Sequence, residues 1–207
     1  MVGMFNDKEL RIDKNMGYHE YPDLLTGYTE TIDYSSDNNY PLDSSACEAL
    51  HIRHFNPASK SFCDLPDAPK LKYLEVNFSN CTDLVGLEKY PHLQRLDLNY
   101  CTKLETLDGI ERLSHDIYCL WIDHSPKLTG HSAAALLPNL KTLALHSCGT
   151  IRDLGFVNEL NKLTMFMNTD VADGNMLPLI RHTPNFEFVS FTNKRHFSHK
   201  CKDICKV

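Results

Sequence analysis

An apolar pattern of the form L-x-x-L-x-L returns at a nearly fixed interval along most of the chain, and this constrains the fold more than any other feature. It reads CEALHI from Cys47, LKYLEV from Leu71, LQRLDL from Leu93, IYCLWI from Ile117, LKTLAL from Leu140, LTMFMN from Leu163 and FEFVSF from Phe186. The seven starts are separated by 24, 22, 24, 23, 23 and 23 residues. A second slot follows at a regular offset: CTDL at 81–84, CTKL at 101–104, SPKL at 125–128 and CGTI at 148–151. A period in this range marks a stack of identical supersecondary units, each of which buries its apolar edge only against its neighbours.

The spacing within a unit follows from strand geometry. Side chains alternate across a strand, so the fourth and sixth residues of a unit point one way and the third, fifth and seventh the other. The chain must then turn sharply inward, and a small Cys or Ser suits that tight interior corner. The cysteines of this slot are therefore packing residues. Segments such as LETLDGIERLS and LTGHSAAALLPN, which carry each unit back over the outside, are expected to be 3₁₀ turns or short helices. The unit from Leu163 is irregular, because Asn168 stands where the third apolar residue belongs. Either the stack frays there or the strand shifts.

These residues resemble the leucine-rich-repeat family over 47–192. The resemblance implies an α/β repeat solenoid with a concave parallel sheet and short helical or 3₁₀ convex segments. Residues 1–46 contain no repeat and hold nine acidic against three basic residues; they are expected to be an acidic N-terminal cap containing a hairpin or an edge strand. Residues 193–207 form a basic tail, and the overlapping stretch FTNKRHFSHK at 191–200 is expected to close the core with Phe191 and Phe197 and leave its charges in solvent.

Composition narrows the function. The 207 residues carry a net charge of −6, which disfavours general nucleic-acid binding, since phosphate neutralisation needs clustered Lys and Arg. No apolar run reaches the roughly eighteen residues of a membrane span. MVGMFNDKELRID turns charged at once and has no signal-peptide pattern, so a cytoplasmic location with reduced thiols is expected. No G-x-S-x-G, P-loop, G-x-G-x-x-G or H-E-x-x-H motif is present, and the reading is of a non-enzymatic protein without a cofactor. The thiols of CKDIC at 201–205 lack C-x-x-C spacing, and with His196 and His199 beside them a flexible tail is preferred to a metal site.

The outward positions of the sheet are then the candidate partner-binding residues. At the third position stand Tyr73 and Arg95; at the fifth, Glu75, Asp97 and Trp121; at the seventh, Asn99, Asp123 and His146; at the eighth, Phe78, Tyr100 and Asp170. Glu75, Asp97, Asp123 and Asp170 are expected to form an acidic line with exposed aromatics among them, including the single tryptophan. Such a surface suits a basic protein partner.

The acidic leading segment, the compact array and the FTNKRHFSHK ending also resemble small bacterial leucine-rich-repeat immunity proteins of contact-dependent inhibition and polymorphic toxin systems. That resemblance implies 1:1 binding to the C-terminal toxin domain of a secreted effector, with a nuclease as the natural basic target. A leucine-rich-repeat scaffold or regulatory subunit is the alternative, and an enzyme or RNA binder acting through the His-rich tail is a third reading.

Overall fold

A computed structural model describes residues 28–35, 45–113, 115–168 and 170–204. Its core is one sheet of eight strands in sequence order. These are β1 (Tyr28–Asp33), β2 (Cys47–Arg53), β3 (Tyr73–Asn77), β4 (Arg95–Asn99), β5 (Cys119–Asp123), β6 (Thr142–His146), β7 (Met165–Asn168) and β8 (Phe188–Phe191). Every neighbouring pair is parallel. From β2 onward the register reproduces the sequence intervals without a slip: Leu50 pairs with Leu74, then Leu96, Leu120, Leu143, Phe166 and Val189. A one-residue slip would turn each apolar pair outward, and burial holds the register against it.

Two apolar columns run the length of the stack. Leu50 through Val189 form the first; Ile52, Val76, Leu98, Ile122, Leu145, Asn168 and Phe191 form the second, and all are buried. Beneath the strands Cys81, Cys101, Ser125 and Cys148 fill the corner, each at most 1% exposed. The Cys148 sulfur lies 3.0 Å from the Ile122 carbonyl and 3.1 Å from that of His146, between which its one proton is shared. Burial pushes the Cys101 and Cys148 thiols up to about 12, so they are inert packing groups.

The convex side is made of 3₁₀ turns at Phe62–Asp64, Leu87–Lys89, Ile110–Arg112, His131–Leu136 and Gly155–Glu159, then helix α1 (Leu177–His182). Gly86 and Gly109 start two of these turns at φ +102° and +97°. A Cβ on Gly86 would lie 2.5 Å from the carbonyl carbon of Phe62 and closer still to the amide of Cys63. Adjacent rungs thus touch backbone to backbone on this side.

Asn168 neither frays the stack nor shifts the strand. It sits in register between Leu145 and Phe191, 3% exposed, and neither end of its amide finds a hydrogen-bond partner among the described residues. A buried amide left unpaired costs about 1–3 kcal/mol. Asn168→Leu is therefore expected to raise the unfolding free energy by about 1–3 kcal/mol, read from urea denaturation; a loss of stability would show that the amide is satisfied.

Among the described residues β1 is the edge strand, parallel to β2, as the edge-strand alternative expects; the rest of the N-terminal segment, where a hairpin is the other alternative, lies outside the described residues. Its sequence YTETID is polar, and among its described side chains Ile32 packs against the core, beside Ile52. At the other end the polypeptide after β8 docks on the last rung. Ser198 donates its amide to Gly174 at 2.8 Å, His196 Nε2 lies 2.9 Å from the Val171 carbonyl, and helix α2 (Cys201–Ile204) buries Ile204 completely. Phe191 and Phe197 meet edge to face at 5.9 Å. The described part of the tail is thus a terminal cap; Cys205 lies outside the described residues.

Candidate interaction face

The third, fifth and seventh positions of each unit form the concave face, as the alternation requires. Much of that face is more enclosed than the sequence suggests. Tyr73 is 2% exposed, Arg95 6%, Asp97 4% and Trp121 8%. The expectation of an exposed tryptophan does not hold. Adjacent rungs are only about 4.8 Å apart, so a large side chain in this column is flanked closely by its neighbours.

Nor do the acids form a bare line. Arg95 grips Asp97 with two nitrogens, Nε at 2.8 Å from Oδ1 and Nη2 at 2.8 Å from Oδ2, and the Tyr73 hydroxyl oxygen lies 3.1 Å from Asp97. Burial pushes the Asp97 carboxyl up against the pull of Arg95. Glu75 meets His51 Nδ1 at 2.9 Å and accepts from Asn77 at 2.7 Å and Tyr73 at 2.8 Å. Asp123 lies 2.8 Å from His124 and 2.6 Å from His146. Asp170, beyond the sheet on the chain leaving β7, is held by Lys194 at 2.9 Å. Glu75 and Asp97 share one column, while Asp123 belongs to another with Asn77 and Asn99.

Burial alone would push the Glu75 carboxyl up, but the hydrogen bonds from His51, Asn77 and Tyr73 and the charge of His51 outweigh it and hold it at about 2. A depressed folded-state value stabilises above the ordinary carboxylate value of 4.5, and the contribution disappears as pH falls toward 2. Glu75 should thus supply up to about 3 kcal/mol at neutral pH that is lost across this window. Denaturant melts at pH 7 and pH 3 are expected to converge partly in Glu75→Gln relative to wild type; an unchanged difference would remove Glu75 from the acid response.

The feature that alternation does not reveal lies at the eighth position, where each strand ends. His54, Phe78, Tyr100, His124 and Ser147 all adopt left-handed backbone, with φ between 53° and 61°. The amides of His54, Phe78, Tyr100 and His124 each add one more bond to the next rung, at 2.8 to 3.0 Å, before the chain turns in toward the corner. Non-glycine residues pay about 1–2 kcal/mol each for this conformation. Because each residue repeats the same backbone geometry one rung on, its ring falls on the ring before it. His54 stacks on Phe78 at 5.1 Å, Phe78 on Tyr100 at 5.2 Å and Tyr100 on His124 at 4.4 Å; His146 meets His124 edge-on at 5.7 Å. These separations match the inter-strand spacing.

The row is open to solvent. Phe78 is 44% exposed and Tyr100 43%; Tyr34, at the end of β1, is also 44% exposed. His54 is additionally fixed by Asp33 at 2.9 Å, and the Asp33 carboxyl is held at about 2 by Ser35 and by His54. The sequence points to Phe78 and Tyr100 but not to His54, Asp33 or the stack. The one available signal is that an aromatic ring or imidazole stands just before the corner residue in Tyr100-Cys101 and His124-Ser125.

One parallel sheet of stacked rungs, a thiol-lined corner and 3₁₀ turns on the outside define the class of fold: a leucine-rich-repeat solenoid. Among solved structures, an internalin from Listeria monocytogenes shares it with a TM-score of 0.54 and 17% identity, over 71% of this chain and 43% of that chain. This chain therefore spans less than half of the internalin's length. No family model and no curated protein matches the sequence. Among the described residues, no helix is long and apolar enough to cross a membrane.

Proposed function

We propose that the protein is a non-enzymatic protein-binding module, cytoplasmic, whose partner seats on the aromatic row and the concave face beside it. The observation that carries this reading is the stack itself: rings at His54, Phe78, Tyr100 and His124 set on left-handed backbone, with Phe78 and Tyr100 more than two-fifths exposed. Backbone strain retained at successive rungs has a cost, and such strain clusters where a surface is used. Exposed aromatic edges next to fixed polar groups suit a protein interface. Of the residues read from sequence, Phe78, Tyr100, Asn99, Asp123 and His146 are then contact residues. Tyr73, Glu75, Arg95, Asp97 and Trp121 shape the floor, and Asp170 stands at the margin.

The narrower form of the proposal is an immunity protein that neutralises a cognate bacterial toxin domain, such as a nuclease, by covering its active site 1:1. The net charge of −6 supports a basic partner. The acids of the face are paired within the chain, so steering rests on this overall charge rather than on a bare acidic stripe. Affinity capture from the native cells tests both levels. One stoichiometric protein partner supports binding, and a partner that is the C-terminal part of a secreted effector, inhibited in vitro by this chain, supports the immunity reading. A regulatory enzyme as partner would favour a scaffold, and RNA as the principal companion would overturn the proposal.

A further inference from the structure

We propose that Asp123, His124 and His146 form a binding site for one divalent transition-metal ion of the zinc class. Among the described residues they are the group of three whose donor atoms all lie within 4.8 Å of one another. Nδ1 of His124 is 2.8 Å and Nδ1 of His146 2.6 Å from the same oxygen, Oδ1 of Asp123. The fold sets each donor in place. Asp123 and His146 are partners in the β5–β6 register, and His124 follows on left-handed backbone with its ring packed on Tyr100 at 4.4 Å.

Two imidazoles and one carboxylate match the donor preference of zinc, copper or nickel, whereas calcium and magnesium favour all-oxygen shells. Tetrahedral zinc with bonds of about 2.0–2.1 Å sets its donors about 3.3 Å apart. The three side chains must then open by about half an ångström, which solvent-facing rotamers accommodate. The His124 and His146 side chains are 42% and 47% exposed, so the fourth position faces water. Without metal, each ring donates an Nδ1 proton to the shared carboxylate oxygen. The ion takes the place of those two bridging protons, and each ring then carries its proton on Nε2, by exchange with solvent. The sequence-level candidate in the tail is less suited: His196 Nε2 faces the Val171 carbonyl and the Cys201 thiol donates to Val189.

The test is a zinc titration of the untagged full chain against a chromophoric chelator, with cobalt absorption as a readout of coordination. Wild type is expected to bind one equivalent, with tetrahedral cobalt bands. His124→Asn, His146→Asn and Asp123→Asn are each expected to weaken binding by about tenfold or more, while His196→Asn with His199→Asn leaves it unchanged. His146 and His196 are exposed and Asp123, His124 and His199 half-buried, and circular dichroism checks that each variant is folded. Wild-type binding no tighter than that of the folded His124→Asn/His146→Asn variant would overturn the proposal, as would binding abolished by the tail variant.

Discussion

Gly86→Ala is expected to lower the unfolding free energy by about 3–5 kcal/mol, a large share of the stability of a domain of this size. Two costs add. At φ +102° any side chain is strained, and the new methyl meets the backbone of Phe62 and Cys63 in the preceding rung, which no rotamer change relieves. Gly130→Ala separates the two terms. Its φ is +68° but nothing lies within 4 Å of an added Cβ, so it should lose only about 1 kcal/mol. Urea midpoints for the two variants measure the difference. Equal losses would mean that rungs do not meet backbone to backbone on the convex side.

The second large effect concerns the aromatic row. Phe78→Gly with Tyr100→Gly is expected to weaken partner binding about a hundredfold or more while leaving the melting midpoint nearly unchanged. Glycine removes two exposed rings but also relieves left-handed strain, so the folded state loses stacking and gains backbone freedom in comparable amounts. Trp121→Ala should behave in the opposite way. At 8% exposure its loss opens a cavity, and stability should drop by about 3 kcal/mol. If Trp121→Ala instead stays stable and abolishes binding, the floor of the face rather than its aromatic edge is the contact. Titration of the captured partner against each variant, beside thermal melts, reads both quantities.

The parts legible from sequence are those set by local periodicity. The spacing of Leu74, Leu96, Leu120 and Leu143 fixes register, since a strand with one buried face cannot slip, and Cys101 and Cys148 announce the corner by their size. The exact place of β1 is hidden because YTETID pairs through its backbone and, among its described side chains, sets Ile32 on the core. Exposure on the concave face is hidden for a different reason. Whether Trp121 or Asp97 is open depends on what adjacent rungs place beside it, and Arg95 and Tyr73 reach Asp97 from positions that periodicity only calls outward. The left-handed row is partly visible, as aromatics before the corner residue. That their rings stack follows from a φ value that Phe78 and Tyr100 adopt against their own preference.

The most direct measurement is photocrosslinking in the native cells, with a benzophenone amino acid placed at Tyr100 on the row and, separately, at Leu136 on the convex side, where 56% exposure makes it an equally accessible control. One protein adduct from position 100 and none from position 136 is the predicted result. An adduct from position 136 alone would place the partner on the outer surface and contradict the assignment of the aromatic row as the binding surface.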